Sequence, residues 1–250
     1  MNKIINPFSL EGKKILVTGS SSGIGKGIAI ACSNMGANVY AVGRNQKRLE
    51  DVLSEMSESE HKIIRCDLTD LLSIQKMVAD LPVLDGIVHC AGIGHRALCK
   101  QLSKEDVERV MSINFSAPVL LQAELLKQKK LSKGCSVVFV ASIASWSPSI
   151  GNAVYSASKG AIISYAKCLS LELAPRRIRV NCISPAMVWT DLILQEGVEI
   201  DQLKEDEQKY PLKRYGQPED IANLAIYMLS DASSWMTGSN VKLSGGGKLS

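Results

Sequence analysis

The 250-residue sequence has no apolar run approaching the roughly 18 residues that a membrane-spanning helix needs, so no membrane association is expected. Its opening, MNKIINPFSL, lacks the apolar core of a secretory signal, and the expected address is cytoplasmic. Cys-x-x-Cys pairs are missing as well. The seven cysteines (Cys32, Cys66, Cys90, Cys99, Cys135, Cys168, Cys182) are scattered without neighbouring histidines, which argues against zinc or another metal and fits free thiols in a reducing compartment. Charge of one sign is scarce: 29 Lys and Arg against 25 Asp and Glu leave +4, with the basic residues dispersed, so nucleic-acid binding gains little support. The densest basic cluster, Lys127, Lys129, Lys130 and Lys133, reads as the solvated end of a helix. No internal repeat or low-complexity linker divides the chain.

What the chain does have is alternation. Apolar, β-rich runs at Lys14 to Val17, Asn38 to Val42, Lys62 to Cys66, Gly86 to Cys90, Ser136 to Ala141, Arg179 to Ile183 and Asn240 to Leu243 are separated by stretches of helical periodicity. This alternation predicts an α/β protein, a parallel sheet with helices on both faces, in one domain over 1–250. One long connection, about 187–213, begins apolar and continues strongly charged through WTDLILQEGVEIDQLKEDEQKY. A connection of that length after a strand's carboxyl end is read as a substrate lid.

The first strand runs into a glycine turn and then a helix, KKILVTGSSSGIGKGIAIA. Gly19, Gly23 and Gly25 give a tight turn and close backbone approach, and the N–H groups opening the helix would face a pyrophosphate. The second strand bears on which dinucleotide is bound. An acid near its end holds the ribose 2′-OH of NAD, whereas an arginine accommodates the 2′-phosphate of NADP. Here Gly43 takes the acid's place and Arg44 follows, which favours NADP(H) over NAD(H); the alternative is a solvated arginine opening the next helix. Asp67, ending the third strand, either accepts from the adenine amino group or caps the next helix, where Thr69 and Asp70 are better placed.

Tyr155 and Lys159 stand four apart at the start of a helical pattern and share one face, and Ser142 ends the apolar run SVVFVA that leads toward them. A phenol beside an ammonium can give and take a proton, because a nearby positive charge favours phenolate, and Ser142 can bond the oxygen being protonated. The same pair also fits a half-buried aromatic and a solvated lysine. Asn114 falls on the apolar face of DVERVMSINFSAPVLLQAELLKQ, and Pro118 four residues on has no N–H for its carbonyl, so a kink is expected there. The freed carbonyl either holds a water or belongs to a kinked helix whose core amide is satisfied.

These residues together resemble the short-chain dehydrogenase/reductase family from about Leu10 to Leu249. The carriers are TGSSSGIG at 18–25, DLTD at 67–70, CAG at 90–92, Asn114, Ser142, YSASK at 155–159, NCISPA at 181–186 and PLKRYGQPEDIA at 211–222. The resemblance implies a single Rossmann domain with a seven-stranded doubly wound sheet in the order 3-2-1-4-5-6-7, and hydride transfer between a nicotinamide and a carbonyl or secondary alcohol. Asn114, Ser142, Tyr155 and Lys159 would be its catalytic residues, with Lys159 also holding the nicotinamide ribose and Asn114 a relay water. The cofactor would lie against Gly19, Ser21, Ser22, Gly23, Ile24 and Gly25, then Arg44, Asp67 and Leu68, then Ala91, Gly92, Tyr155, Lys159, Pro185, Val188 and Thr190. The 3-oxoacyl-acyl-carrier-protein reductase-like branch is the nearest in look, with a sugar, polyol or other small secondary alcohol as the alternative substrate. A regulatory NADP sensor is the non-enzyme alternative, and the resemblance implies a homotetramer or homodimer. The family's Asn-Asn-Ala-Gly is His89-Cys90-Ala91-Gly92 here, which removes two amides beside the fourth strand.

Ile143, Trp146, His95, Trp189 and Leu192 flank these elements in the chain and are the expected substrate-pocket walls. Acyl carrier protein is an acidic partner. Glu196, Glu199, Asp201, Glu205, Asp206 and Glu207 on the lid would repel it, while Arg176 and Arg177 with the Lys127 to Lys133 cluster offer a basic face.

Overall fold

Each apolar run becomes a strand in this computed structural model, which describes residues 6–194 and 199–247, and the inner strands, buried on both faces, are apolar at successive positions. The strands are β1 (Lys14–Thr18), β2 (Asn38–Gly43), β3 (Lys62–Arg65), β4 (Leu84–His89), β5 (Leu131–Val140), β6 (Arg179–Pro185) and β7 (Asn240–Leu243). All neighbours pair in parallel, in the order β3-β2-β1-β4-β5-β6-β7. Ile15 and Val17 of β1 point into one core and Leu16 into the other, as the period of two requires. One core packs against helices α1 (Gly23–Asn34), α2 (Gln46–Ser54) and α9 (Pro218–Leu229). The other packs against α3 (Leu71–Asp80), α5 (Ala117–Lys127) and α6 (Ala153–Leu173). The chain crosses from the β3 edge back to β4, beside β1, so the sheet has its switch point between β1 and β4, where the carboxyl ends leave a crevice.

Local differences from the sequence expectations have physical causes. β5 starts at Leu131, before the expected Ser136, because Leu131 pairs with Leu84 and a register shift precedes the Gly86–Ser136 pair. Where the kink is expected, just before Pro118, a π turn, Ser112–Ser116, joins α4 (Lys104–Met111) to α5, with Ala117 N–H donating to the Ser112 carbonyl. Lys130 is not merely solvated: its Nζ donates to the carbonyls of Ala79 (2.8 Å) and Leu81 (2.6 Å), satisfying the carboxyl end of α3.

Between β6 and α9 lie the short α7 (Asp191–Leu194) and α8 (Ile200–Glu207). Ile193, Leu203, Tyr210 and Tyr215 form a small cluster of their own there, against Ala186, Met187 and Trp189. Part of the expected lid, 195–198 with Glu196, lies outside the described residues. Two of this segment's acids turn inward, since Asp206 Oδ2 accepts from Tyr215 Oη (2.7 Å) and Glu207 Oε2 from Trp189 Nε1 (2.9 Å).

Candidate active site

A cavity of about 530 Å³ opens at the carboxyl ends of the strands, over the switch point. Its floor depends on β1 and β4 diverging while staying joined. Thr18, 1% exposed, does the joining: its Oγ1 accepts from the N–H groups of Cys90 (3.0 Å) and Ala91 (3.2 Å). Gly19 follows at φ +71°, and a Cβ there would stand 2.8 Å from the Ala91 Cα. Only glycine fits that approach of backbone on backbone. A Cβ on Gly25 would collide with the Gly19 carbonyl, so the first turn of α1 is drawn tight against the loop. Ser22 makes no side-chain cap, and no acid stands in that first turn, which leaves the helix's N–H groups to an anion. The backbone cradle fits the pyrophosphate of a dinucleotide.

At the far end of this floor Arg44 and Asp67 line the cavity with Asn45, Arg48, Leu68 and Thr69. Asp70, not Asp67, caps α3, accepting from Leu72 N and Ser73 N (both 3.2 Å). Asp67 Oδ1 accepts instead from Thr69 N (3.0 Å) and Thr69 Oγ1 (2.8 Å), and these bonds, with the Arg44 charge, hold its carboxyl below the usual range. One carboxylate oxygen remains for a ligand.

Ser142, Tyr155 and Lys159 line the other end. Ser142 follows β5 and caps the 3₁₀ turn Ile143–Ser145, its Oγ accepting from Ala144 N (3.1 Å) and keeping its hydrogen to donate. Tyr155 stands in the first turn of α6, and Lys159, one turn later, places Nζ 5.8 Å from its ring centroid. Lys159 is only 5% exposed and donates to the Val140 carbonyl (2.8 Å). Burial pushes its ammonium down from 10.5 to about 8, with the Cys90 and Cys182 thiols opposing the shift.

Asn114, 2% exposed, stands just behind the wall. Its Oδ1 accepts from Ile93 N (2.8 Å), and its Nδ2 donates to the Ile93 carbonyl (3.0 Å) and to Ser158 Oγ (3.1 Å). A Cβ on Gly92 would lie 3.2 Å from Asn114 Oδ1 and 3.4 Å from Lys159 Nζ, so the π turn, α6 and the loop after β4 converge on one point. His89 replaces the missing amides by stacking on Phe139 (4.6 Å, 9°) and meeting Gln122 Oε1 through Nε2 (3.1 Å). Burial holds its imidazole down from 6.5 to about 4, so it is neutral.

Every residue expected to touch the cofactor lines this one cavity. The substrate walls divide. Ile143 and Leu192 line it, whereas Trp146, His95 and Trp189 do not. Trp189 packs on Tyr215 (5.3 Å) because its indole N–H takes Glu207 as acceptor. His95 turns to α4, with Nδ1 accepting from Arg109 Nη2 (3.0 Å) and Nε2 3.3 Å from Asp106 Oδ1. Trp146 lies under the Lys242 ammonium, 4.4 Å from its ring centroid. Arg48, Arg96, Asn152, Met187 and Tyr210 also line the cavity, and nothing local in the chain marks them. Among the described residues, no group of three or more His, Cys, Asp or Glu is placed to hold a metal ion, and no helix is long and apolar enough to cross a membrane.

A doubly wound sheet with a phosphate cradle at its switch point and Ser, Tyr and Lys beside it is the arrangement of a dinucleotide-dependent oxidoreductase. Comparison with known proteins agrees. Residues 19–248 match the family model described as enoyl-(acyl carrier protein) reductase. The 3-oxoacyl-[acyl-carrier-protein] reductase of Rickettsia felis is 33% identical over 244 residues, covering 96% of this chain and 98% of that one. The L-xylulose reductase of Caenorhabditis elegans is 31% identical over 245 residues, with 96% and 97% covered. Among solved structures, a short-chain type dehydrogenase/reductase from Mycobacterium marinum superposes with a TM-score of 0.88 at 31% identity, covering 99% and 100%. A candidate NAD(P) dependent gluconate 5-dehydrogenase from Beutenbergia cavernae, with NADP bound at low occupancy, superposes with a TM-score of 0.87 at 28% identity, covering 96% and 98%. The chain belongs to the short-chain dehydrogenase/reductase family, oxidoreductases that use a nicotinamide cofactor at CH–OH and C=O carbons.

Proposed function

We propose that the protein is an NADP(H)-dependent reductase of a carbonyl group, with a 3-oxoacyl thioester as the first substrate to test. The observation that carries this reading is the meeting of Ser142, Tyr155 and Lys159 in the cavity that also holds the glycine cradle. The bound nicotinamide supplies the hydride in reduction and receives it in oxidation. In the reductive direction Tyr155 donates a proton to the carbonyl oxygen while Ser142 Oγ–H bonds and orients that oxygen. Lys159 holds the cofactor ribose, and its charge favours the phenolate that Tyr155 becomes. Asn114 fixes the Ile93 backbone and holds the water that returns a proton toward Lys159. Gly19, Ser21, Ser22, Gly23, Ile24 and Gly25 hold the pyrophosphate, Asp67 and Leu68 the adenine, and Arg44 the 2′-phosphate. Ala91, Gly92, Pro185, Val188 and Thr190 enclose the nicotinamide half, and the segment 187–213 is the substrate lid of the single domain.

The Rickettsia felis relative's name supports the thioester substrate. The Caenorhabditis elegans and Beutenbergia cavernae relatives support the second reading, a sugar or polyol. Acyl carrier protein would dock on the basic face of Arg176, Arg177 and the Lys127 to Lys133 cluster. Arg176 is fixed there by donating to the Leu131 carbonyl (2.7 Å). A cytoplasmic homotetramer or homodimer completes the reading.

The test follows NADPH oxidation at 340 nm with 3-oxoacyl thioesters, trans-2-enoyl thioesters, sugars, diketones and polyols. Tyr155→Phe is expected to abolish turnover with NADPH still bound, and near-normal turnover would refute the Tyr155 assignment. Arg44→Asp is expected to shift preference toward NADH, and an unchanged cofactor ratio counts against the 2′-phosphate reading. Binding of NADPH without oxidation by any substrate would favour the sensor.

A further inference from the structure

Arg48 stands one helical turn beyond Arg44 and lines the same end of the cavity as Arg44, Asn45, Asp67 and Thr69. Its position is set by the cap of α2, where Asn45 Oδ1 accepts from Arg48 N (3.1 Å). From there its Nη1 reaches 3.5 Å to Asp191 Oδ2, the first residue of α7, 143 residues along the chain. The contact joins the β2–α2 turn to the segment after β6, two walls of one cavity. It is also a loose contact: both side chains are 54% exposed and the separation is long for a charge-assisted bond.

A guanidinium held this weakly at the edge of an anion site has a stronger partner available. A phosphate monoester offers up to three acceptor oxygens and about two negative charges, against one for Asp191. The amino end of α2, with no acid in its first turn, adds to the attraction. We propose that Arg48 is a cofactor-specificity residue shared between two anions: the lid carboxylate Asp191 in the free protein and the 2′-phosphate in the NADP(H)-loaded one. Arrival of the 2′-phosphate then frees α7 from α2, whereas NAD(H), lacking that phosphate, leaves the two joined. The contact between α7 and α2 therefore differs with the cofactor bound. This inference rests on the NADP(H) reading above.

The test uses the intact protein and two fragments, 2′,5′-ADP and 5′-AMP, titrated by calorimetry, so it needs no substrate or turnover. Arg48→Gln is expected to weaken 2′,5′-ADP roughly tenfold, the scale of one charge-assisted hydrogen bond, and to leave 5′-AMP within about twofold. Asp191→Asn is expected to tighten 2′,5′-ADP about threefold in the parent and to do nothing in the Arg48→Gln background, which is the signature of competition for one side chain. Arg44→Gln separates this inference from its premise. If the parent binds 2′,5′-ADP better than 5′-AMP and Arg44→Gln erases that preference while Arg48→Gln does not, Arg48 is no specificity residue and the NADP(H) reading stands. Asp191→Asn without effect on 2′,5′-ADP, or with the same effect in both backgrounds, overturns the sharing. A parent with no preference between the fragments overturns the inference and its premise together.

Discussion

Replacing Asn114 by leucine isolates what its amide does, because leucine matches its size and offers no polar atom. The amide satisfies both backbone groups of Ile93, N–H at 2.8 Å and C=O at 3.0 Å, and gives a third bond to Ser158 Oγ at 3.1 Å. Stripping the partner from a buried polar group costs about 1–3 kcal/mol. Ile93 is only partly buried and borders the cavity, which places its two groups near the lower end. Ser158 keeps its own donation to the Tyr155 carbonyl (2.7 Å) and loses only a bond it accepts. The sum comes to about 3 kcal/mol, and at ~2–4 °C per kcal/mol for a chain of this size the melting midpoint should fall by about 6–12 °C. Ser158→Ala alone should cost about 1 kcal/mol. Combined with Asn114→Leu it should add less than that, because the two share a bond. Scanning calorimetry at neutral pH reads all three proteins, and NADPH fluorescence reads the loop, which should bind more weakly once Ile93 is unpinned. A midpoint within about 1 °C of the parent would show that the amide does not hold the loop.

Further expectations follow from other buried groups. His89 is held neutral at about 4 against an ordinary 6.5, so the unfolded chain binds the extra proton first and stability should decline as pH falls from 6.5 to 4, by about 3 kcal/mol in all. Urea titrations across that range should show a shallower acid limb for His89→Asn, and an identical limb would exclude His89 as its source. Lys159 titrates near 8, so cofactor affinity should weaken as pH rises through that value and the ammonium is lost; the affinity of Lys159→Met should be low and flat, and an unchanging parent affinity from pH 7 to 9.5 would contradict this. Trp189→Phe removes the bond to Glu207, so it should lower stability by about 1.5–3 kcal/mol in denaturant titrations while leaving fragment binding unchanged.

The sheet could be read from the chain because burial of the inner strands on both faces writes itself as apolar residues at successive positions, and each apolar run is a strand. Tyr155 and Lys159 could be read because helical spacing fixes their common face without knowledge of the rest. The β5 start could not, since Leu131–Cys135 carries Ser, Lys and Gly and becomes a strand only through its pairing with Leu84. Nor could the directions of Trp189, His95 and Trp146 be read. Nearness to the site in sequence says nothing about where an indole or imidazole finds its partner, and those partners, Glu207, Asp106 with Arg109, and Lys242, lie on other elements. Nothing in the chain around Arg48 marks it, because its counterion Asp191 lies on α7, 143 residues along.

The bond from Lys159 to the Val140 carbonyl has a consequence for how the site tolerates change. The acceptor is main chain, so no substitution on β5 can delete it, and the ammonium's position is inherited from the sheet itself. A side-chain acceptor would let one point mutation move the lysine; here that requires bending a central strand paired on both sides. The cavity walls supplied by other elements can therefore change while the Lys159 ammonium keeps its place.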